Sequence, residues 1–140
     1  MQTSDLANEW SLLQNQFDSY EKYSLLIKLV SVLILLVAYI THHLHFFVLL
    51  LLLVLWMQDA IWKTFQSRIE VRLLQLEEYL SGDQSLDRTD QKAYQFNSQY
   101  VESRPGIVGL VNEYRRQAMR PTVAYPHIVL LFLLGIAILF

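Results

Sequence analysis

Two residues of opposite charge interrupt or border the first two long apolar segments of the chain. Lys28 lies 15 residues before His43, and Asp59 lies 16 residues after it. If the chain turns back near His43, two antiparallel helices carry Lys28 and Asp59 to nearly the same depth in a membrane. Charged residues inside a membrane pair with one another and are functional candidates by default. We predict an intramembrane Lys28–Asp59 pair that either fixes the register of the two helices or serves an ion or proton relay, with snorkelling of Lys28 as the alternative to pairing.

Three histidines, His42, His43 and His45, lie where the two apolar segments meet. Imidazole is a good ligand for zinc, copper or nickel, and three ligands suffice when water fills the open position. His42 and His45 have i, i+3 spacing, so they could share an ion if the turn is helical. Histidine also titrates near physiological pH, so a pH sensor is the second interpretation and a simple polar turn is the third. His127 is expected at the opposite membrane face, where it cannot join this group.

The sequence contains no motif of a known catalytic site. It has no phosphate-binding glycine loop, no nucleophile elbow and no His-Glu-x-x-His helix. The adjacent Glu77 and Glu78 are expected on a solvated face. The absence of cysteine excludes disulfides and thiolate metal sites, and a net charge of −2 provides no basic field for nucleic acid. We therefore expect no enzymatic activity, no cofactor, no nucleic-acid partner and no small-molecule substrate.

The composition indicates a membrane protein. Hydrophobic residues make up 54% of the chain and charged residues 17%, against about 45–50% and about 25% in soluble domains. A membrane-spanning helix needs about 20 mainly apolar residues, and segments 23–40, 46–62 and 122–140 come close to this, with an outer turn at 41–45. We predict an all-α integral membrane protein with three transmembrane helices, a hairpin plus a C-terminal span, and a cytoplasmic amphipathic helical region. The lipid bilayer is then its first partner.

Lysine and arginine are distributed unevenly between the segments outside the spans. The turn has neither, whereas the segment between the second and third spans has nine: Lys63, Arg68, Arg72, Arg88, Lys92, Arg104, Arg115, Arg116 and Arg120. Because cytoplasmic loops carry the excess of positive residues, we predict an inner (plasma) membrane protein with a cytoplasmic N-terminus and its C-terminus at the outer face. Three of these residues are expected to face anionic lipid of the inner leaflet: Arg115, Arg116 and Arg120.

Apolar residues outside the spans recur at intervals of three and four, as on one face of a helix. They predict an N-terminal helix within 1–22 and a cytoplasmic helical region at 63–121, whose stalk helix reaches about residue 80. The two helix-packing stripes are expected to cover each other or a second copy of the chain, in the manner of a coiled coil, and comprise Leu6, Trp10, Leu13, Phe17, Ile61, Phe65, Ile69, Leu73, Leu76 and Leu80. The polar face of the stalk carries Lys63, Gln66, Arg68 and Glu70. A third stripe is predicted over Ile107, Leu110, Val111, Tyr114 and Ala118.

The end of the second span carries the motif Trp56-Met-Gln-Asp59-Ala60, followed by Phe65 and Arg68. This pattern resembles a loosely defined group of small bacterial inner-membrane proteins with a two-span hairpin, a Trp-x-x-Asp-Ala exit and a late third hydrophobic segment. Related-looking two-span architectures serve as membrane effectors in bacterial anti-phage systems. The resemblance implies a bacterial membrane protein and defines no functional residues.

Three functions remain open on these observations. The first is a non-catalytic inner-membrane protein that acts through helix-mediated assembly, as a homo-oligomer or as a small accessory subunit of a larger complex. The second is an oligomerising effector that permeabilises the membrane, either holin-like or in anti-phage defence. The third is metal or proton transport, which would use the histidine turn or the Lys28–Asp59 pair.

Overall fold

A computed structural model describes residues 2–81, 93–103 and 106–139 of the chain. Within these ranges the chain forms α1 (Gln2–Ile40), α2 (Phe46–Ser81), α3 (Phe96–Ser103), α4 (Ile107–Ala118) and α5 (Pro121–Leu139). The all-α fold class is confirmed, and α1, α2 and α5 are each long and apolar enough to cross a membrane. By length and composition the chain is therefore a multi-pass membrane protein. Arg88, Lys92 and Arg104 lie outside the described residues.

The first two helices run through both the apolar and the polar parts of the sequence without a break. The N-terminal helix and the first span, which the sequence analysis treated separately, form the single 39-residue helix α1. Neither α1 nor α2 contains glycine or proline, so no residue interrupts the ladder of backbone hydrogen bonds. We call residues 23–62 and 122–139 the apolar half of the molecule. The remaining described residues form its polar half.

The turn between α1 and α2 is closed by a Schellman motif. The N–H of His43 donates to the carbonyl of Ala38 at 2.9 Å, and the N–H of His42 donates to that of Tyr39 at 3.2 Å. His42 adopts a left-handed backbone conformation, with φ of 55°. Such a residue ends a helix while satisfying its last carbonyl groups. The chain can thus reverse over five residues, and α2 returns antiparallel to α1.

Each half of the molecule has its own apolar core. In the apolar half, α5 packs against both hairpin helices through Leu35, Ala38, Val48, Leu52, Leu130 and Leu134. In the polar half, the N-terminal part of α1 packs on the stalk part of α2 through Leu6, Leu13, Ile69, Leu73 and Leu76. The two predicted stripes therefore cover each other within one chain.

The predicted stripe of α2 was wrong at two residues, which do not face α1. Phe65 and Leu80 are exposed, whereas Gln66, which was expected on the polar face, is buried. At this level Gln66 reaches α1, where its amide donates to the Phe17 carbonyl. Phe65 is displaced to the side and contacts Trp62. Leu80 lies one turn beyond Leu76, the last buried residue of the stripe.

The third stripe prediction was also wrong in part. Ile107 and Val111 are exposed, and the buried residue of α4 is Gln117. Gln117 donates a hydrogen bond to the Ser67 hydroxyl of α2 at 3.0 Å. The side of α4 that faces α2 is thus partly polar, and its most apolar residues are left uncovered by the described residues.

Candidate functional site: a buried polar cluster shared by three helices

The structure brings Lys28 and Asp59 together at one depth of the hairpin. The Lys28 Nζ lies 3.7 Å from the Asp59 Oδ2. The Asp59 side chain is fully buried, and that of Lys28 is 19% exposed. The nearly equal residue counts on either side of the turn explain this juxtaposition, because both helices are uninterrupted over that distance.

Ser24 completes the hairpin side of the site. It lies one helical turn before Lys28, and its hydroxyl donates a hydrogen bond to the Asp59 Oδ1. The same hydroxyl oxygen accepts a hydrogen bond from the Lys28 Nζ at 3.1 Å. The serine therefore links the two charges as well as contacting each of them. Burial of charges is tolerated where the groups are paired and hydrogen-bonded.

His127 of α5 is the residue that sequence reasoning missed. Its Nε2 lies 3.2 Å from the Asp59 Oδ2, and its side chain is almost completely buried. We define the polar cluster as Ser24, Lys28, Asp59 and His127. His127 follows the start of the third apolar segment, just as Lys28 and Asp59 border the same face of the first two. This shared depth of the three residues is visible in the sequence. Counting residues from the turn, however, relates only the two helices of the hairpin and not α5.

Trp56 connects the polar cluster to α4. Its indole ring stacks on the His127 imidazole, with ring centroids 6.0 Å apart and planes inclined by 13°. Its Nε1 donates a hydrogen bond to the Ala118 carbonyl at 3.2 Å. A buried tryptophan generally finds such a partner for its N–H. In this position Trp56 fixes the imidazole on one side and the end of α4 on the other.

The protonation pattern of the polar cluster follows from what each atom can donate. An ionised Asp59 can only accept, so the His127 Nε2 carries the hydrogen of their bond. The His127 Nδ1 is buried and has no hydrogen-bond partner among the described residues. In a neutral imidazole this atom holds a free lone pair.

Nucleophilic catalysis is a poor fit to this geometry. In a Ser-His-Asp triad the serine hydroxyl bonds to the imidazole, whereas the Ser24 hydroxyl bonds to the Asp59 carboxylate. Ser24, Asp59 and His127 are also buried, so a substrate has no access to them. The site is suited to holding three helices together.

Between the polar cluster and the turn, the described residues form an apolar layer. The next buried polar residue of α1, Ser31, donates its hydroxyl hydrogen to the Ile27 carbonyl of its own helix at 2.8 Å. Beyond it the core consists of aliphatic side chains: Leu35, Ala38, Val48, Leu52, Leu130 and Leu134. A relay of protons or ions needs polar groups at hydrogen-bond distance, and the core side chains of this layer are aliphatic.

A second buried ionic site lies in the polar half. The Arg72 Nε and Nη2 donate to the two carboxylate oxygens of Glu9 at 2.9 and 3.2 Å. The backbone N–H of Tyr94 also donates to Glu9, at 2.6 Å. Sequence reasoning placed Arg72 only among the basic residues, although it lies three residues after the stripe residue Ile69. The Glu9 carboxylate thereby ties the segment before α3 to both long helices.

Two further ion pairs join helices of the polar half. Lys63 binds Glu21, whose side chain is 58% exposed. The hydrogen bonds from Lys63 and Gln66 hold the pKa of the Glu21 carboxyl below its ordinary value, against a smaller opposing effect of burial. The Arg68 Nη2 lies 2.8 Å from the Glu113 Oε2 and attaches α4 to α2.

The metal site predicted at the turn is not formed. The Schellman motif places His42 at the groove between α1 and α5, whereas His43 and His45 border the groove between α1 and α2. The His43 Nδ1 donates to the Thr41 carbonyl at 2.6 Å. Over the described ranges, no group of three or more histidine, aspartate or glutamate residues is arranged to hold a metal ion. The turn is not helical, so the i, i+3 spacing does not bring His42 and His45 to one point.

The predicted lipid-facing arginines lie at the junction of α4 and α5. Arg115 and Arg116 are exposed in the last turn of α4, and Arg120 is exposed in the link to α5. The Arg115 side chain bonds to Asn112 at 3.2 Å. Their distribution is compatible with contact to lipid head groups next to the third span.

Comparison of this chain with protein-family models, with curated proteins and with solved structures finds no match.

Proposed function

We propose that the protein is a non-catalytic, multi-pass protein of the bacterial inner membrane that acts through helix-mediated assembly. The assembly is either a homo-oligomer or a larger membrane complex in which this chain is a small subunit. We place its polar half in the cytoplasm, because the segment between the second and third spans contains nine lysine and arginine residues and the turn contains none. The bacterial origin rests on the resemblance of the Trp56–Ala60 motif.

The observation that carries the proposal is the uncovered apolar face of α4. Ile107, Val108 and Val111 are 83%, 84% and 59% exposed. Exposed aliphatic side chains are expected in the apolar half, where lipid covers them, but these three lie in the polar half. Clustered apolar side chains on a water-exposed surface mark an interaction site. The stripes of α1 and α2 cover each other except at Phe65 and Leu80.

The contacts of α4 hold this face in a fixed position. Glu113 pairs with Arg68, Gln117 bonds to Ser67, and the Ala118 carbonyl accepts from Trp56. These contacts join α4 to α2 at three points, and Trp56 extends the connection to the polar cluster. A rigid surface loses less conformational entropy on binding than a mobile one. The polar cluster thus supports assembly by positioning the helix that makes the contact.

The test is the mass of the purified protein in lipid nanodiscs or mild detergent, measured by light scattering, together with chemical cross-linking in native membranes. We expect more than one protein copy or a defined complex, and we expect Val108→Asp to dissociate it. The matched control is Leu12→Asp, an equally simple change at an exposed leucine of α1, which should leave the assembly intact. A wild-type chain that is a strict monomer by both measurements would overturn the proposal.

The permeabilising effector makes a different prediction. Induced expression would then depolarise the cells, which a membrane-potential dye detects. Assembly without pore formation leaves the membrane potential unchanged. We expect this second result, because aliphatic side chains form the core between the polar cluster and the turn.

A further inference from the structure

An apolar groove of about 620 Å³ lies between α1 and α5 in the apolar half, on the side of the turn. Its walls include Val32 and Leu36 of α1 and Leu133 and Ala137 of α5. Val32, Leu36 and Leu133 are about half exposed, so the groove opens sideways to the surroundings of the bundle. Its volume lies within the range of about 300–1,000 Å³ that is typical of small-molecule sites.

The groove follows from how α5 is attached. At one end His127 binds Asp59, and farther along Leu130 and Leu134 pack into the core of the apolar half. Beyond these contacts α5 presents Ala137, whose methyl group does not fill the space that faces α1. An unfilled space deprives the atoms that line it of dispersion contacts. In a membrane-spanning part of a protein, the surrounding lipid can fill the space and restore these contacts.

The shape of the groove favours an extended apolar occupant. Val32 and Tyr39 both line it and are seven residues apart, so the groove extends along at least roughly 10 Å of α1. Between these two residues its walls are aliphatic, and it opens sideways between α1 and α5. A flexible hydrocarbon chain fits this shape, and a helix of another protein copy is the alternative occupant that the test below distinguishes.

Polar groups are found at one end of the groove only. Tyr39 and His42 border it next to the turn, whereas its remaining lining is aliphatic. Tyrosine is enriched at the level of lipid head groups because its ring is apolar and its hydroxyl is polar. The left-handed conformation of His42 in the Schellman motif directs this residue to the groove of α5 instead of to the other histidines. This is the arrangement that an amphiphile with one polar end requires.

We propose that the groove is a binding site for one acyl chain of a membrane phospholipid, whose head group lies at the Tyr39 hydroxyl and the His42 imidazole. The site is independent of assembly through α4, so either proposal can fail without the other. It also gives a role to the one turn histidine that faces α5.

The test is native mass spectrometry of the full-length protein released from nanodiscs of mixed bacterial phospholipids, with the bound lipid identified by fragmentation. We expect the wild type to retain phospholipid. Ala137→Phe fills the groove and should lower the retained fraction at this site at least about tenfold. Val54→Phe adds the same ring at an exposed position of α2 outside the groove, and should retain as much lipid as the wild type.

Three more variants separate loss of the site from general destabilisation. Leu133→Ala enlarges the groove without filling it and should still retain the chain. His42→Ala should release phospholipid more readily than His43→Ala, because His43 does not border this groove. The proposal is overturned if Ala137→Phe and Val54→Phe retain equal amounts, if Leu133→Ala loses lipid as fully as Ala137→Phe, or if the retained molecule is not a phospholipid.

Discussion

The two buried ionic sites of the molecule are built in the same way in very different surroundings. In the apolar half, the Asp59 carboxylate is shared by Ser24, Lys28 and His127. In the polar half, the Glu9 carboxylate is shared by Arg72 and the Tyr94 backbone. Each carboxylate joins the long α1–α2 pair to a third segment of the chain. One carboxylate has several acceptor positions and can bind groups from several segments at once. It can therefore fix how these segments are placed against each other, which a uniform surface of leucine side chains does not do.

The number of partners makes the two sites unequal. Asp59 contacts three side chains, those of Ser24, Lys28 and His127, whereas Glu9 contacts the Arg72 side chain and one backbone N–H. Each buried polar group that is left without its partner adds to the loss of stability. The comparison therefore predicts a larger effect at Asp59 than at Glu9, and a small one at an exposed pair.

The largest effect is expected for Asp59→Ala. It leaves the half-buried Lys28 without its counter-ion and removes the anchor of α5, so we expect a loss of about 3–5 kcal/mol in the free energy of unfolding. Denaturant unfolding in detergent micelles measures this loss. Ser31→Ala is the matched control, because its buried hydroxyl bonds only within α1. Equal stability of the two variants would refute the role given to the polar cluster.

Glu9→Ala is expected to have the next largest effect, of about 3 kcal/mol. The segment before α3 should also exchange its amide hydrogens faster, because the Tyr94 N–H loses its acceptor. Hydrogen exchange read by mass spectrometry checks this, with Glu78→Ala as the control for an exposed carboxylate. If protection around Tyr94 is unchanged, the Glu9 carboxylate does not hold this segment.

The smallest effect is expected at the exposed Lys63–Glu21 pair. The pKa of Glu21 is lowered in the folded chain, relative to an ordinary value of 4.5. Its contribution is therefore fully present above about pH 4.5 and is lost as the pH falls through the lower folded pKa. Solvent screening limits it to about 0.2–1 kcal/mol. The stability difference between the wild type and Glu21→Gln, followed from pH 7 downward, should shrink in that acidic range; a difference that grows there would contradict the assignment.

The sequence predicted the helices well because their causes are local. The absence of glycine and proline predicts that α2 continues from the second span into the stalk, and counting residues from the turn places Lys28 and Asp59 at one depth. The same absence makes α1 one helix, where the sequence analysis predicted two. The rotation of α2 was harder to predict, since Phe65 and Gln66 exchange their expected roles only when α1 crosses at that level. The position of His127 depends on how α5 packs against the hairpin. Because α5 is almost uniformly aliphatic, its hydropathy does not indicate which of its sides faces the hairpin. The uncovered face of α4 was equally hard to predict. Glu113 and Gln117 have polar partners on α2, so these two residues, and not the most apolar ones, face α2.

The uninterrupted course of α1 has a mechanical consequence. The polar cluster lies near its middle: Ser24 is 18 residues after Leu6 and 16 residues before Ile40, or about 27 Å and 24 Å along the helix axis. Since α1 also packs on α2 in the cores of both halves, the two helices can tilt together as one lever with nearly equal arms. A tilt of about 5° around the polar cluster would move its two ends by about 2 Å in opposite directions. A disturbance at the histidine turn would then reach the far end of the helix at Leu6 without any change in the backbone between them.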